Sequence, residues 1–193
     1  MYATRMDAAG IIVTVSWAVV FSVYLILGFT NKRTRTRDRL GSRIWYHAAT
    51  VLSYFLMFNP RLWGGVLAKE WIARGVVEES VGAALAVAGG AIAIWARLSI
   101  GRNWSAVVTV KEDHRLVRVG PYAWIRHPIY TGLITAMAGT ALLNRRWSGI
   151  LALLLMATGF FFKSRVEERF MRQTFGPQYE EYRAQSGAFL PRF

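Results

Sequence analysis

Apolar and polar positions fall along this chain in long blocks rather than in short alternation. Predominantly apolar runs cover residues 10–29, 45–67, 81–100, 128–143 and 147–162. A helix needs about 17–25 such residues to cross the hydrocarbon core of a bilayer. The pattern predicts an all-α integral membrane protein with about five transmembrane helices. Asn59-Pro60 lies inside the second run, so that helix is expected to kink or end early. The third run, VGAALAVAGGAIAIWA, is rich in Ala and Gly, which let helices approach closely in lipid, and a packed central helix is expected. Only NRRW separates the last two runs, which predicts a tight helical hairpin. Beyond residue 162 the chain becomes charged and helix-prone, with a break expected at Gly176-Pro177.

Charge gives this pattern a direction. The 193 residues carry a formal net charge of +13 and are 54% hydrophobic. Soluble domains are about 45–50% apolar, and a nucleic-acid binder this basic is rarely so apolar. The cations collect in loops, as Lys32, Arg33, Arg35, Arg37, Arg39 and Arg43 do against Asp38 alone. Such a loop reads as a cytoplasmic topology signal, with a lipid-headgroup or nucleic-acid site as the alternative. The balanced stretch AKEWIARGVVEES then lies outside, and residues 97–127 lie inside. Five spans place the N-terminus outside and the C-terminus in the cytoplasm. Arg145 and Arg146 oppose the rule, but long cationic side chains can snorkel. The first run reads as a retained span rather than a cleaved leader. Cysteine is absent, and His47, His114 and His127 have no metal-ligand spacing, so neither a disulfide framework nor a metal site is expected.

Three stretches are candidates for chemistry. In GPYAWIRHPIYTGL, residues 120–133, Pro128 suits the first turn of a helix. That helix start presents unpaired N–H groups and the positive end of a dipole, which attract a carboxylate or phosphate. Arg126 and His127 stand beside it, with Tyr122, Trp124 and Tyr130 as either site residues or an interfacial aromatic belt. Glu167 and Glu168 either balance a cation, such as an ammonium or sulfonium, or form a solvated face pairing with Arg165, Arg169 and Arg172. Residues 109–124 hold short extended stretches and turn signals, and loops of this length are uncommon unless functional. There is no strand followed by G-x-G-x-x-G and no P-loop, so any nucleotide-like cofactor binds in a non-Rossmann way.

HRLVRVGPYAWIRHPIYTG, followed after the hairpin by RVEERFMRQTFGPQYEEY, resembles the isoprenylcysteine carboxyl methyltransferase family of integral membrane methyltransferases. The resemblance covers the C-terminal half. It implies transfer of a methyl group from S-adenosylmethionine, with S-adenosylhomocysteine as product, to a lipophilic acceptor from the bilayer. Carboxyl O-methylation of a prenylcysteine-like substrate is favoured. Similar tails in phospholipid and other small-lipid N-methyltransferases and in NADPH-dependent sterol-type reductases keep those alternatives open. Carried over by position, the resemblance implies cofactor contacts from His114, Arg115, Leu116, Val117, Tyr122, His127, Pro128, Ile129, Tyr130 and Glu167. Thr109 stands near a family position that is glutamine in some members. The family's substrate-side arginine aligns with Lys163, and Arg165 is two residues on. Arg126, Lys163 or Arg165 is then expected to orient an acceptor carboxylate, and Glu168 is the base if the acceptor is an amine. One membrane domain over residues 1–193 is expected, with three N-terminal spans in 1–100 and the cofactor-binding loop, hairpin and cytosolic tail in 101–193. Membrane lipids are expected partners, and nucleic acid and metal are not. The sequence leaves the acceptor and the oligomeric state open.

Overall fold

The computed structural model describes residues 7–29, 34–37, 40–59, 62–104, 109–111 and 116–192, with backbone alone at 34–37, 40–43 and 109–111. Helix α1 is Ala8–Gly28, α2 is Leu40–Phe58, α3 is Val76–Ile100, α4 is Pro128–Asn144, α5 is Trp147–Phe175 and α6 is Pro177–Gln185. Two short strands, β1 (Thr34–Arg37) and β2 (Thr109–Lys111), pair antiparallel. Helices α1, α3 and α5 are long and apolar enough to cross a membrane, and α2 contains a shorter apolar helical stretch, Ile44–Phe58.

The helix limits follow from local chemistry. Asp7 caps α1, its carboxylate accepting the Gly10 N–H at 2.7 Å. Helix α2 stops at Phe58, two residues before Pro60, as the sequence suggested. Helix α3 starts at Val76, earlier than the apolar run. Glu78 and Glu79 occupy its first turn, where the helix dipole favours acids. Helix α5 continues from its apolar part through the charged stretch to Phe175. It stops at Gly176, whose φ of +51° suits glycine.

Glycine brings α3 and α4 together. A Cβ on Gly132 would stand 2.6 Å from the backbone nitrogen of Ala93, and one on Gly89 would collide with the backbone of Ala136 and Gly132. Ala86, Ala93, Ala96 and Ala136 fill the same buried seam. The Ala/Gly run thus forms the packed central helix that its composition indicated. Helix α1 adds interhelical hydrogen bonds, among them Trp17 Nε1 donating to Thr140 Oγ1 at 2.9 Å and the Tyr24 hydroxyl donating to the Ala93 carbonyl at 3.0 Å. Opposite faces of α1 and α2 leave Leu25, Ile26 and Val51 exposed, as suits lipid rather than water.

The connections sort to two ends of the bundle. The β1–β2 ribbon joins the first basic loop to the segment after α3 at one end. At the other, the loop before α3 clasps the α4–α5 turn, with Trp71 N–H donating to the Arg145 carbonyl at 2.9 Å and Trp147 N–H to the Lys69 carbonyl at 3.2 Å. Arg145, at φ +57°, makes that tight turn.

Candidate active site

At the ribbon end, the start of α4 meets the polar continuation of α5. Pro128 occupies the first turn of α4, and the residue before it, His127, gives no side-chain cap. The first N–H groups are thus left for another acceptor. His127 is 8% exposed and sits between two carboxylates. Its Nδ1 lies 3.4 Å from Glu167 and its Nε2 lies 3.4 Å from Glu168. The Tyr130 hydroxyl donates to Glu167 at 2.5 Å. The His127 and Tyr130 rings stack 5.5 Å apart, and Tyr130 stacks on Phe160 at 4.4 Å.

This cluster is electrically balanced by contact. Burial disfavours charge on His127, but its hydrogen bonds to both glutamates and their negative charge outweigh it and raise its pKa. Burial likewise opposes ionisation of Glu168, yet His127 and Arg126 hold its carboxyl down to about 2. For Glu167, burial is again overcome, by the His127 hydrogen bond, the Lys163 charge and Tyr130, and its pKa is lowered.

Arg126 fastens the tail. Its Nε donates to Glu168 at 2.9 Å, and its Nη1 donates to the carbonyls of Ser186 and Arg183. Arg118 does the same for α6, donating to the Gln178 carbonyl at 2.5 Å with its guanidinium over the Tyr182 ring. Beyond α6 the chain turns back and runs beside residues 124–127. Arg126 N–H donates to the Gly187 carbonyl at 2.8 Å, His127 N–H to Ala188 at 3.0 Å, and Gly187 N–H to Trp124 at 3.0 Å. Thr131 Oγ1 donates to the Phe189 carbonyl at 2.7 Å. This strap brings the Phe189 ring to 5.7 Å from His127.

Next to the strap an apolar cleft of about 530 Å³ opens between α4 and α5, lined by Ile134, Ala157, Thr158, Phe161, Phe162 and Phe189. The Arg165 guanidinium lies over Phe161 at 5.0 Å from the ring centre. Lys163 points elsewhere: it is 7% exposed, with its ammonium 5.2 Å from the Tyr130 ring and 5.4 Å from the Tyr46 ring of α2.

Comparison with known proteins interprets this geometry. Residues 82–173, which span the α3–α4 seam and both glutamates, match the model of the isoprenylcysteine carboxyl methyltransferase family. Over these residues the chain is similar to that family. It is 34% identical over 151 residues to the protein-S-isoprenylcysteine O-methyltransferase of Tribolium castaneum, covering 76% of this chain and 51% of that protein. It is 27% identical over 160 residues to the cobalt-zinc-cadmium resistance protein CzcN of Cupriavidus metallidurans, covering 81% and 65%. A solved structure of the eukaryotic intramembrane Ras methyltransferase of the family superposes with a TM-score of 0.53 at 26% identity, covering 76% of this chain and 52% of that one. The chain thus spans about half to two thirds of the length of these relatives. Family and apolar helices together make it an integral membrane protein.

The residues carried over from the family pattern gather unevenly. His127, Pro128, Ile129 and Tyr130 are buried together at the α4 start, with the half-buried Glu167 against them. Tyr122 is buried beside it, its carbonyl accepting from the Tyr182 hydroxyl at 2.7 Å. Val117 packs against the core below, and Leu116 is half-buried. His114 and Arg115 lie outside the described residues. Of the four catalytic candidates, Arg126 and Glu168 pair with each other, Lys163 is enclosed by aromatic rings, and Arg165 stands at the cleft. Sequence reasoning missed the strap and Tyr46. The one signal for the strap was Gly187, where a Cβ would run into the Leu190 carbonyl.

Proposed function

We propose that this protein transfers a methyl group from S-adenosylmethionine to the carboxylate of a lipophilic, prenylcysteine-like acceptor entering from the bilayer. The observation that carries this reading is the adjacency of the His127–Glu167–Tyr130 cluster to an apolar cleft between two membrane helices.

The residues fit such a donor. Glu167 keeps 24% of its side chain exposed within the cluster, which suits an ammonium partner. The uncapped α4 start suits a carboxylate. The Tyr122 and Tyr130 rings suit a sulfonium face. The holding residues are therefore Leu116, Val117, Tyr122, His127, Pro128, Ile129, Tyr130 and Glu167, joined by His114 and Arg115 on the family pattern. When bound, S-adenosylmethionine supplies an activated methyl group whose bond pair returns to sulfur on transfer.

The chain's own side chains do the rest. An acceptor carboxylate is ionised at neutral pH, so no residue has to remove a proton. Arg165, over the cleft wall, orients that carboxylate. Ile134, Phe161 and Phe162 exclude water from it. Alignment of two reactants in this way supplies roughly 7–11 kcal/mol of the barrier. Lys163 and Tyr46 brace Tyr130 from behind. Glu168 is ill suited as the base an amine acceptor needs, because His127 and Arg126 hold it ionised down to about pH 2. That favours carboxyl over amine methylation. The basic first loop shares the bundle end with the cluster, which supports a cytosolic donor site, a cytosolic C-terminus and an outer N-terminus.

The test incubates purified protein with label in the donor methyl group, N-acetyl-S-farnesylcysteine and phosphatidylethanolamine. Label in a base-labile ester is the expected result. Label in the phospholipid amine establishes the alternative acceptor class, and NADPH consumption without methyl transfer contradicts both.

A further inference from the structure

We propose that Phe189, held by the C-terminal strap, gauges the width of the acceptor's reacting end. The inference rests on the methyltransferase reading above and names a specificity residue within it.

The strap is the part of the cleft wall that is not a membrane helix. Ile134 comes from α4, and Ala157, Thr158, Phe161 and Phe162 come from α5. Among the described residues lining the cleft, Phe189 is the one with a ring contact to the polar cluster, its centroid 5.7 Å from that of His127. An acceptor lying in the cleft with its reacting group toward His127 passes this ring last, so Phe189 meets the atoms next to the reacting group rather than the far hydrocarbon tail.

A gauge must be fixed in place, and this one is tied on both flanks. The carbonyls of Gly187 and Ala188 accept from the Arg126 and His127 N–H groups, and the carbonyl of Phe189 itself accepts from Thr131. The Arg126 side chain holds Ser186 from below. The turn after it depends on Gly187, since any Cβ there meets the Leu190 carbonyl. The ring is half-buried, so part of its surface stays available to a ligand. An apolar wall discriminates by fit, at about 10–200-fold per methylene-sized change.

The test compares kcat/KM for two acceptors with one farnesyl tail, N-acetyl- and N-benzoyl-S-farnesylcysteine. Wild type, Phe189→Ala and Phe189→Trp are measured, with Gly187→Ala as an independent disturbance of the strap. Phe189→Ala is expected to shift the ratio toward the benzoyl acceptor by about tenfold. Phe189→Trp is expected to shift it the other way, and Gly187→Ala to follow Phe189→Ala. The farnesyl-to-geranylgeranyl ratio at constant acetyl head is expected to stay within about twofold. Ratios for the two heads unchanged in both Phe189 variants overturn the proposal while leaving the methyltransferase reading intact. So does equal loss for all acceptors in both variants, or a shift in tail preference instead. Wild type that methylates no acceptor overturns the methyltransferase reading itself.

Discussion

The two ends of the bundle use the same side-chain chemistry in opposite settings. At the end away from the ribbon, Arg74 pairs with Asp7 and Glu79, and Arg145 with Glu70. Arg74 is 56% exposed and Asp7 40%, so water screens their attraction. At the ribbon end, Arg126 and Glu168 are 10% and 9% exposed, and His127 lies between two carboxylates. Here each charge has lost most of its water and depends on its partner. The first end clips loops together, whereas the second gathers buried charges beside an apolar cleft.

The largest effect is expected from Glu168→Ala, which leaves Arg126 and His127 without their shared partner. Breaking a buried pair costs about 3–5 kcal/mol, read as a fall in thermal unfolding temperature in detergent. Gly132→Val comes next. It forces a side chain into the Ala93 backbone and displaces α4, which carries the site, at about 1–3 kcal/mol or more.

A pH titration separates the ends further. Glu168 is depressed from 4.5 to about 2, so its contribution is present above pH 4.5 and fades as pH falls toward 2. His127 is raised from 6.5, so its contribution is complete below pH 6.5 and is lost as pH rises through the raised value. Wild-type thermal stability should therefore be highest between about pH 4.5 and 6.5 and decline on the alkaline side, and His127→Ala should flatten that decline. The smallest effect is expected from Arg74→Ala, which should leave the unfolding curve unchanged because both of its pairs stand in water.

The sequence makes some of these regions far more legible than others. Helices α1, α4 and the apolar part of α5 announce themselves because lipid demands continuous apolar runs, and Pro128 and Gly176 mark their polar boundaries by backbone chemistry alone. The first turn of α3 was hidden because Glu78 and Glu79 look like loop residues, although acids suit a helix start. The β1–β2 pairing joins residues far apart in the chain through backbone hydrogen bonds, which leave no side-chain signature. Within the site, His127, Tyr130 and Glu167 were legible from their motif, and the structure brings them together. Arg126 and Lys163 looked equivalent to Arg165 as cations. Only the fold shows Arg126 tied to the tail and Lys163 enclosed by Tyr46 and Tyr130, while Arg165 stands over the cleft wall. The strap escaped notice because a short run with one glycine and one proline carries no periodic pattern.

On the proposed function, a sulfonium donor is held at the start of α4 with Glu167 as its acidic partner. Calorimetric titration of S-adenosylhomocysteine into wild type, Glu167→Gln and Arg74→Ala tests it most directly. Binding to wild type and to Arg74→Ala with equal affinity is expected, with a loss of about tenfold or more for Glu167→Gln, as removal of a charge-assisted partner requires. Equal affinity in all three proteins, or no binding to wild type, would contradict it.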